Sequence, residues 1–544
     1  MSVVTVTITS EGDLMDPIYE LRSLDIIKEV NRIPYAQVIL RDGDAAKQIF
    51  EISDTDFFLP GKTIEIKLRY EDKASEEATV FKGLVVRHGV EAGGQGSLLT
   101  VECKDAAVAL TAGRKSKIFR DQTDDKIIGQ IVAAAGLTKG KMAATQPAHA
   151  ELVQYACTDW DFILSRADVQ GLLVVVDEGT VALQEIVLDG QPKQTFEYGI
   201  SEIHNFEMQA DASHQFESVQ SIAWDVKAQK LTGEVKAKAF SLEQGDLKGD
   251  QIAKKLGATA CTLTSPTNLD QKELQAWADA KMKKSRMSLL RGRISVPGDA
   301  AIKPMDLIEI KGIGKRFNGK TLVTGVRHQV NTQGWQTDVQ FGLSADWFSQ
   351  NEDIVEAPAA GLLPGVNGLQ IGKVAAFEAD PDAAYRVKVI LPGVDEKEGA
   401  VWARLAAPDA GPERGWFFRP EPDDEVVVGF LNDDPRQPVI LGALYSAAQA
   451  PSFVVDEANL EKAIVTRQGT TIGFIDDEKA SVFIETPAAN KILLSDDQEM
   501  VQLSDQHGNV ITLNADGVTI KSAKDVIIDA SGNVEIKGAK VDVK

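Results

Sequence analysis

The sequence predicts a mainly β protein: an α+β body of β-barrels decorated by helices, then a small OB-like barrel, then a C-terminal needle in which three copies wind together as a β-helix. Three observations carry this. Val510, Val518, Val526 and Val534 recur every eight residues, and Ile520, Ile528 and Ile536 each follow one of the last three by two places. Short alternating runs bounded by Pro, Gly, Asn and Asp fill both the N-terminal part and the block 370–446. Near residue 351 the text changes to NEDIVEAPAAGLLPGVNG, whose Pro, Gly and Ala mark a linker.

The body spans residues 1–350. Alternation predicts strands over Val3–Thr9, Thr63–Tyr70 and Leu98–Cys103, with turns at Pro60-Gly61 and Gly93-Gly94. Asp124 to Leu137 reads as a helix, because two aspartates suit its N-terminal dipole, Ile127, Ile128 and Ile131 make one stripe, and Gly136 ends it. A second helix, Asp159 to Val169, runs into a buried strand, Leu172 to Val176. Residues 180–260 return to strands, and Leu274 to Leu290 is a long helix followed by strand-rich text. Two barrels with helical insertions account for this order.

After the linker, 351–369, the block 370–446 holds about five short strands, including Arg386–Leu391, Val401–Leu405, Glu425–Phe430 and Val439–Leu441. That many strands in so few residues suggest a small barrel of the OB type. A connector, 447–466, leads to the needle, 467–544. There Val518 with Ile520, Val526 with Ile528 and Val534 with Ile536 share a face, since side chains two apart on a strand point the same way. Thr519, Lys521, Asp529, Glu535 and Lys537 face water, and looser copies occur at Ile492–Leu494 and Val501–Leu503. One chain would make only about two coils, fewer than the roughly three stacked repeats a solenoid needs. Three chains would enclose every valine and isoleucine, so the predicted trimer core is Val510, Val518, Ile520, Val526, Ile528, Val534 and Ile536.

A hydrophobic content of 43% is enough for sizeable cores, and a formal charge of −23 argues against a nucleic-acid partner, which needs clustered Lys and Arg. Cys103, Cys157 and Cys261 are scattered without C-x-x-C spacing, as expected of small buried residues in a protein folded in a reducing cytoplasm. The N-terminus has no basic start and no apolar core of a signal peptide, so assembly in the cytoplasm is expected.

The blocks, in this order, resemble the VgrG spike family of contractile injection systems. In the body, TDWDFILSRADVQGL and LQAWADAKMKKSRMSLLRGRISVPGDAAIKPMDLIEIKG carry the resemblance. In the small barrel it rests on Asp380-Pro381, RVKVILPG, Trp402-Ala403-Arg404, Gly415-Trp416, Pro420-Glu421, Asp424-Glu425-Val426, Asp434-Pro435 and PVILGALY. The family often has glycine where this chain has Asp423 and Asp433. The resemblance implies a trimeric central spike and baseplate hub: the body caps a hexameric inner tube protein, an OB-fold clamps the shaft, and the shaft transmits sheath contraction to a target membrane that it contacts transiently. It also implies other baseplate components as partners, leaves room for effector cargo, and covers type VI secretion, extracellular phage tail-like particles and phage tails. The last residues, KGAKVDVK, lack the closely spaced histidines of some spikes, so a separate PAAR-type tip protein is expected.

Chemistry has little footing in the text. His88, His149, His204, His214, His328 and His507 form no H-E-x-x-H and no close pair, so no metal, cofactor or catalytic residue is predicted. Asp423, Asp424 and Glu425, or Asp476, Asp477 and Glu478, are the nearest thing to an acid/base set and read as solvated turns. EAGGQGS at 91–97 reads as a hairpin loop, and Trp402 and Trp416 as core. The alternatives to a structural spike are a phage tail-type cell-wall hydrolase and a carbohydrate- or receptor-binding fibre.

Overall fold

A computed structural model describes residues 3–94, 96–393, 400–453 and 455–544. Gln95, in the EAGGQGS loop, lies outside them. The chain divides into two compact units, Met1–Ala357 and Pro358–Lys544.

Where two barrels were expected, the first unit has one continuous sheet of thirteen strands. The joint is the pairing of Gly319–Asn331 with Leu21–Glu29, from Gly325 opposite Glu29 to Val330 opposite Leu24. Each half of the sheet has its own core. Ile8, Leu24, Ile26, Phe58, Ile64 and Phe81 belong to one, and Ile294, Ile308, Val323, Val339 and Phe341 to the other. Strict alternation explains this, since Leu24 and Ile26 point inward while Ser23 and Asp25 do not.

Helices α1 (Asp124–Ala134), α2 (Asp159–Val169), α3 (Gly249–Lys255) and α4 (Gln271–Met287) flank the sheet strands in sequence. α2 starts where Thr158 Oγ1 accepts the Asp161 amide at 3.1 Å, and α1 gives way to Gly136 at φ 74°. α3 falls in text expected to be strand. Ile127, Ile128 and Ile131 of α1 pack with Phe162 and Ile163 of α2 and with Val174 and Val176 in a third core.

These helices are tied by a buried carboxylate. Asp124 accepts from Arg166 Nε at 2.7 Å, Gln170 Nε2 at 2.7 Å and His149 Nε2 at 3.3 Å, and Arg166 also reaches Glu273 of α4 at 3.2 Å. Burial alone would raise Asp124, but the hydrogen bonds from His149 and Arg166 outweigh it and hold the carboxyl at about 2.

In the second unit, Gln370–Val374, Val387–Ile390, Ala400–Leu405, Pro438–Ala443 and Glu425–Phe430 close into a five-strand barrel around Val374, Val389, Ala403, Val426 and Val428. Seven further strands between Glu461 and Lys521 form a separate antiparallel sheet, which begins inside the expected connector.

Removing Asp124 strands Arg166 without its main partner, so Asp124→Ala is expected to destabilise the first unit by about 3–5 kcal/mol in urea unfolding. A carboxyl held below its ordinary value stabilises fully above about pH 4. That contribution disappears as the pH falls toward about 2. The wild type should therefore lose stability over this window, and the variant should show a flatter profile.

Candidate trimerisation surface

The seven-strand sheet is a meander in which each strand has five residues and pairs with the next: Glu461–Val465, Thr471–Ile475, Ser481–Glu485, Lys491–Ser495, Met500–Ser504, Val510–Asn514 and Gly517–Lys521. At about 4.8 Å between strands it extends roughly 30 Å. The register aligns apolar side chains across every pair. Ile464 faces Ile472, Phe474 faces Val482, Ile484 faces Ile492, Leu494 faces Val501, Leu503 faces Ile511, and Leu513 faces Val518. Cross-strand partners share a face, so these residues form two parallel apolar rows on one side.

Among the described residues nothing covers that side. Ile484 is 41% exposed, Leu494 48% and Val518 68%. At about 1.5–3 kcal/mol for each side chain taken fully out of water, the two rows represent on the order of 10 kcal/mol per chain of unrealised burial. The opposite side is mixed, with Gly473, Phe483, Leu493, Gln502 and Thr512, and the Phe483 ring lies where a side chain on Gly473 would sit.

Turns on one lateral edge repeat a single design. Thr466, Thr486 and Asp505 each accept the amide of the residue four ahead, Thr470, Asn490 and Asn509, through a side-chain oxygen. The residue before that amide is left-handed in each: Gly469 at φ 84°, Ala489 at 62° and Gly508 at 88°. Adjacent turns are stitched together, as Asn490 Oδ1 accepts the Gln506 amide at 3.3 Å and Asn509 Oδ1 accepts the Ala523 amide at 2.9 Å. The hydrogen bonds of Asn509 hold the Asp505 carboxyl below its ordinary range.

The expected core residues divide into three groups. Val518 and Ile520 lie in the apolar rows. Val510 does not: its partner is Lys521, on the other side, and Ile511 and Leu513 occupy the rows in its place. The cause is the tight hairpin that pairs Asn514 with Gly517, an even position with an odd one, which turns the eight-residue beat over. Val526, Ile528, Val534 and Ile536 follow the sheet, exposed, in a stretch without an assigned strand. From Lys524 onward the backbone has no strand partner in its own chain among the described residues.

The acidic clusters occupy turns. Asp423 pairs with Lys373 at 2.7 Å, Asp424 accepts the Glu421 amide at 2.9 Å, and Asp476 pairs with Lys462 at 2.9 Å. His328 is buried beside Thr337, and burial lowers it to about 3, which keeps it neutral. Cys103 and Cys157 are buried and Cys261 is half-buried. Trp416 departs from expectation, being 53% exposed rather than core.

Residues 1–332 match the Alg8 N-terminal domain, residues 370–445 the type VI secretion system/phage-baseplate injector OB domain, and residues 481–544 the phage baseplate V C-terminal trimerisation domain. The chain belongs to the Alg8 N-terminal domain family, and the injector OB and trimerisation domain matches follow it in that order. Among curated proteins, the actin cross-linking toxin VgrG1 of Vibrio cholerae is 26% identical over 33% of this chain and 17% of its own length. The type VI secretion system spike protein VgrG2a of Pseudomonas aeruginosa is 29% identical over 24% of this chain and 17% of its own. The match to these VgrG-type relatives thus spans less than a fifth of their length. Solved structures that overlay include a tail protein from Neisseria meningitidis, at 14% identity and TM-score 0.46, covering 64% of this chain and 98% of the other. An Escherichia coli type VI secretion component overlays at 12% identity and TM-score 0.40, covering 80% and 99%.

Two variants separate the two sides of the sheet. Ile511→Asp, in the apolar row, is expected to dissociate the trimer in light scattering, whereas Val510→Thr leaves it intact. Equal effects would mean that the rows are assigned to the wrong side. In a third, Ala489→Gly removes the cost of a left-handed alanine and should raise the stability of the sheet by about 1 kcal/mol in thermal unfolding.

Proposed function

We propose that the protein is the trimeric central spike of a contractile injection machine, a structural part rather than an enzyme. The observation that carries this is the uncovered apolar side of a sheet whose strands are already paired within the chain. Such a sheet offers its side chains to partners, and three copies facing inward form a closed prism with six apolar side chains in each layer from the second strand onward. The match of residues 481–544 to a trimerisation domain supports the same count.

The body, 1–350, is the hub on a hexameric tube, the barrel at 370–446 clamps the shaft, and residues 467–544 are the spike. Partners of the finer kind follow from this reading: the tube protein, baseplate components and a PAAR-type tip. The chain assembles in the cytoplasm and leaves as part of the apparatus. Load passes along the needle as compression of a dry, closed core, which is stiff because packed side chains have no room to move.

Val526→Asp or Ile528→Asp would gather three carboxylates on the axis and is expected to prevent trimer formation. Lys521→Ala and Glu535→Ala should leave assembly unchanged. Native mass measurement decides, and an intact trimer for Val526→Asp would contradict the inward placement of the octads.

A further inference from the structure

The small barrel carries three consecutive uncovered aromatics, Trp416 at 53%, Phe417 at 73% and Phe418 at 59% exposed. They are held in place on both sides. The short ladder of Ala410–Gly411 with Arg414–Gly415 precedes them, the Trp416 amide donates to the Asp409 carbonyl at 2.9 Å, and the Trp416 and Phe418 rings lie 6.2 Å apart. Beyond them the Arg419 guanidinium stacks on Phe377 at 3.9 Å, itself 43% exposed. A pinned projection of Trp, Phe and Arg is the composition that concentrates binding energy at protein interfaces.

Its position says what covers it. Glu421, three residues past Phe418, accepts from Arg467 Nη1 at 3.0 Å, and Arg467 lies in the first turn of the needle sheet. That turn is on a lateral edge of the sheet, the edge along which neighbouring copies meet when three sheets close a prism. The same barrel offers a flat apolar patch, Leu369 and Leu441, whose side chains come within 3.5 Å of the position a side chain on Gly429 would take. A contact repeated around a threefold axis is head-to-tail and needs two different surfaces on each copy. We propose that the Trp416–Phe418 loop of each copy packs on the barrel of the next, carrying the trimer contact from the needle into the barrel. This rests on the trimeric reading above.

The test uses the full chain with Phe417→Cys and measures the rate of maleimide labelling, with the Ile511→Asp background supplying the open state. Labelling at least tenfold slower in the trimer supports the contact. Phe417→Ser should also shift the dilution at which the trimer dissociates by at least tenfold, and Phe417→Leu should restore most of it. A trimer in which the Phe417→Cys variant labels as fast as in the open state overturns the contact and leaves the needle reading standing. A wild-type chain that stays monomeric overturns both.

Discussion

Alternation along five-residue strands is the constraint from which the second unit follows. From Thr471 to Lys521 every strand pairs in a register that puts apolar on apolar, so one side of the sheet is oily over these strands, and only Lys462 of the first strand interrupts it. A register error of one residue in any pair would transfer two apolar side chains to the water side. The stitched turns guard against this: Asn490 and Asn509 each bond the next turn on their edge, so the strands cannot slide independently. The side chains thus specify the partner, and the turns specify the register that presents them.

The body solves a different problem with charge. Its helices are short, and α1, α2 and α4 meet around Asp124 and Arg166 rather than through apolar contact alone. A buried pair adds little net stability when intact, yet its loss is costly, so it fixes which helix faces meet. A comparable arrangement joins Lys28 to Asp177 at 2.5 Å, with Lys303 on the same carboxylate at 2.9 Å. Orientation is what such pairs supply.

Much of this was legible in the sequence, and the failures have physical causes. The helix Asp159–Val169 and the strands Thr63–Tyr70 and Glu425–Phe430 appear with the expected bounds, because a cap or a strict alternation marked their ends. The strands at 461–485 were missed since their spacing is ten rather than eight, although Thr466, Thr486 and Asp505 already gave the turn signal at intervals near twenty. Val510 was misplaced because spacing along a chain fixes a face only while no tight hairpin intervenes. Trp416 was read as core on residue type alone, and residue type does not distinguish a core tryptophan from an interface one.

The end of the chain differs from the sheet in kind. Up to Lys521 each strand pairs with at least one neighbour in its own chain, and the five inner strands pair on both sides. From Lys524 the valines and isoleucines keep the beat, but the backbone has no partner strand in its own chain among the described residues, and peptide groups must be paired wherever they are buried. Both sets of missing contacts are met together only when copies of the same segment lie alongside. In the trimer proposed above, the paired sheet would offer its apolar side to its neighbours, and the last octads would take backbone partners from them as well, where local concentration is already high.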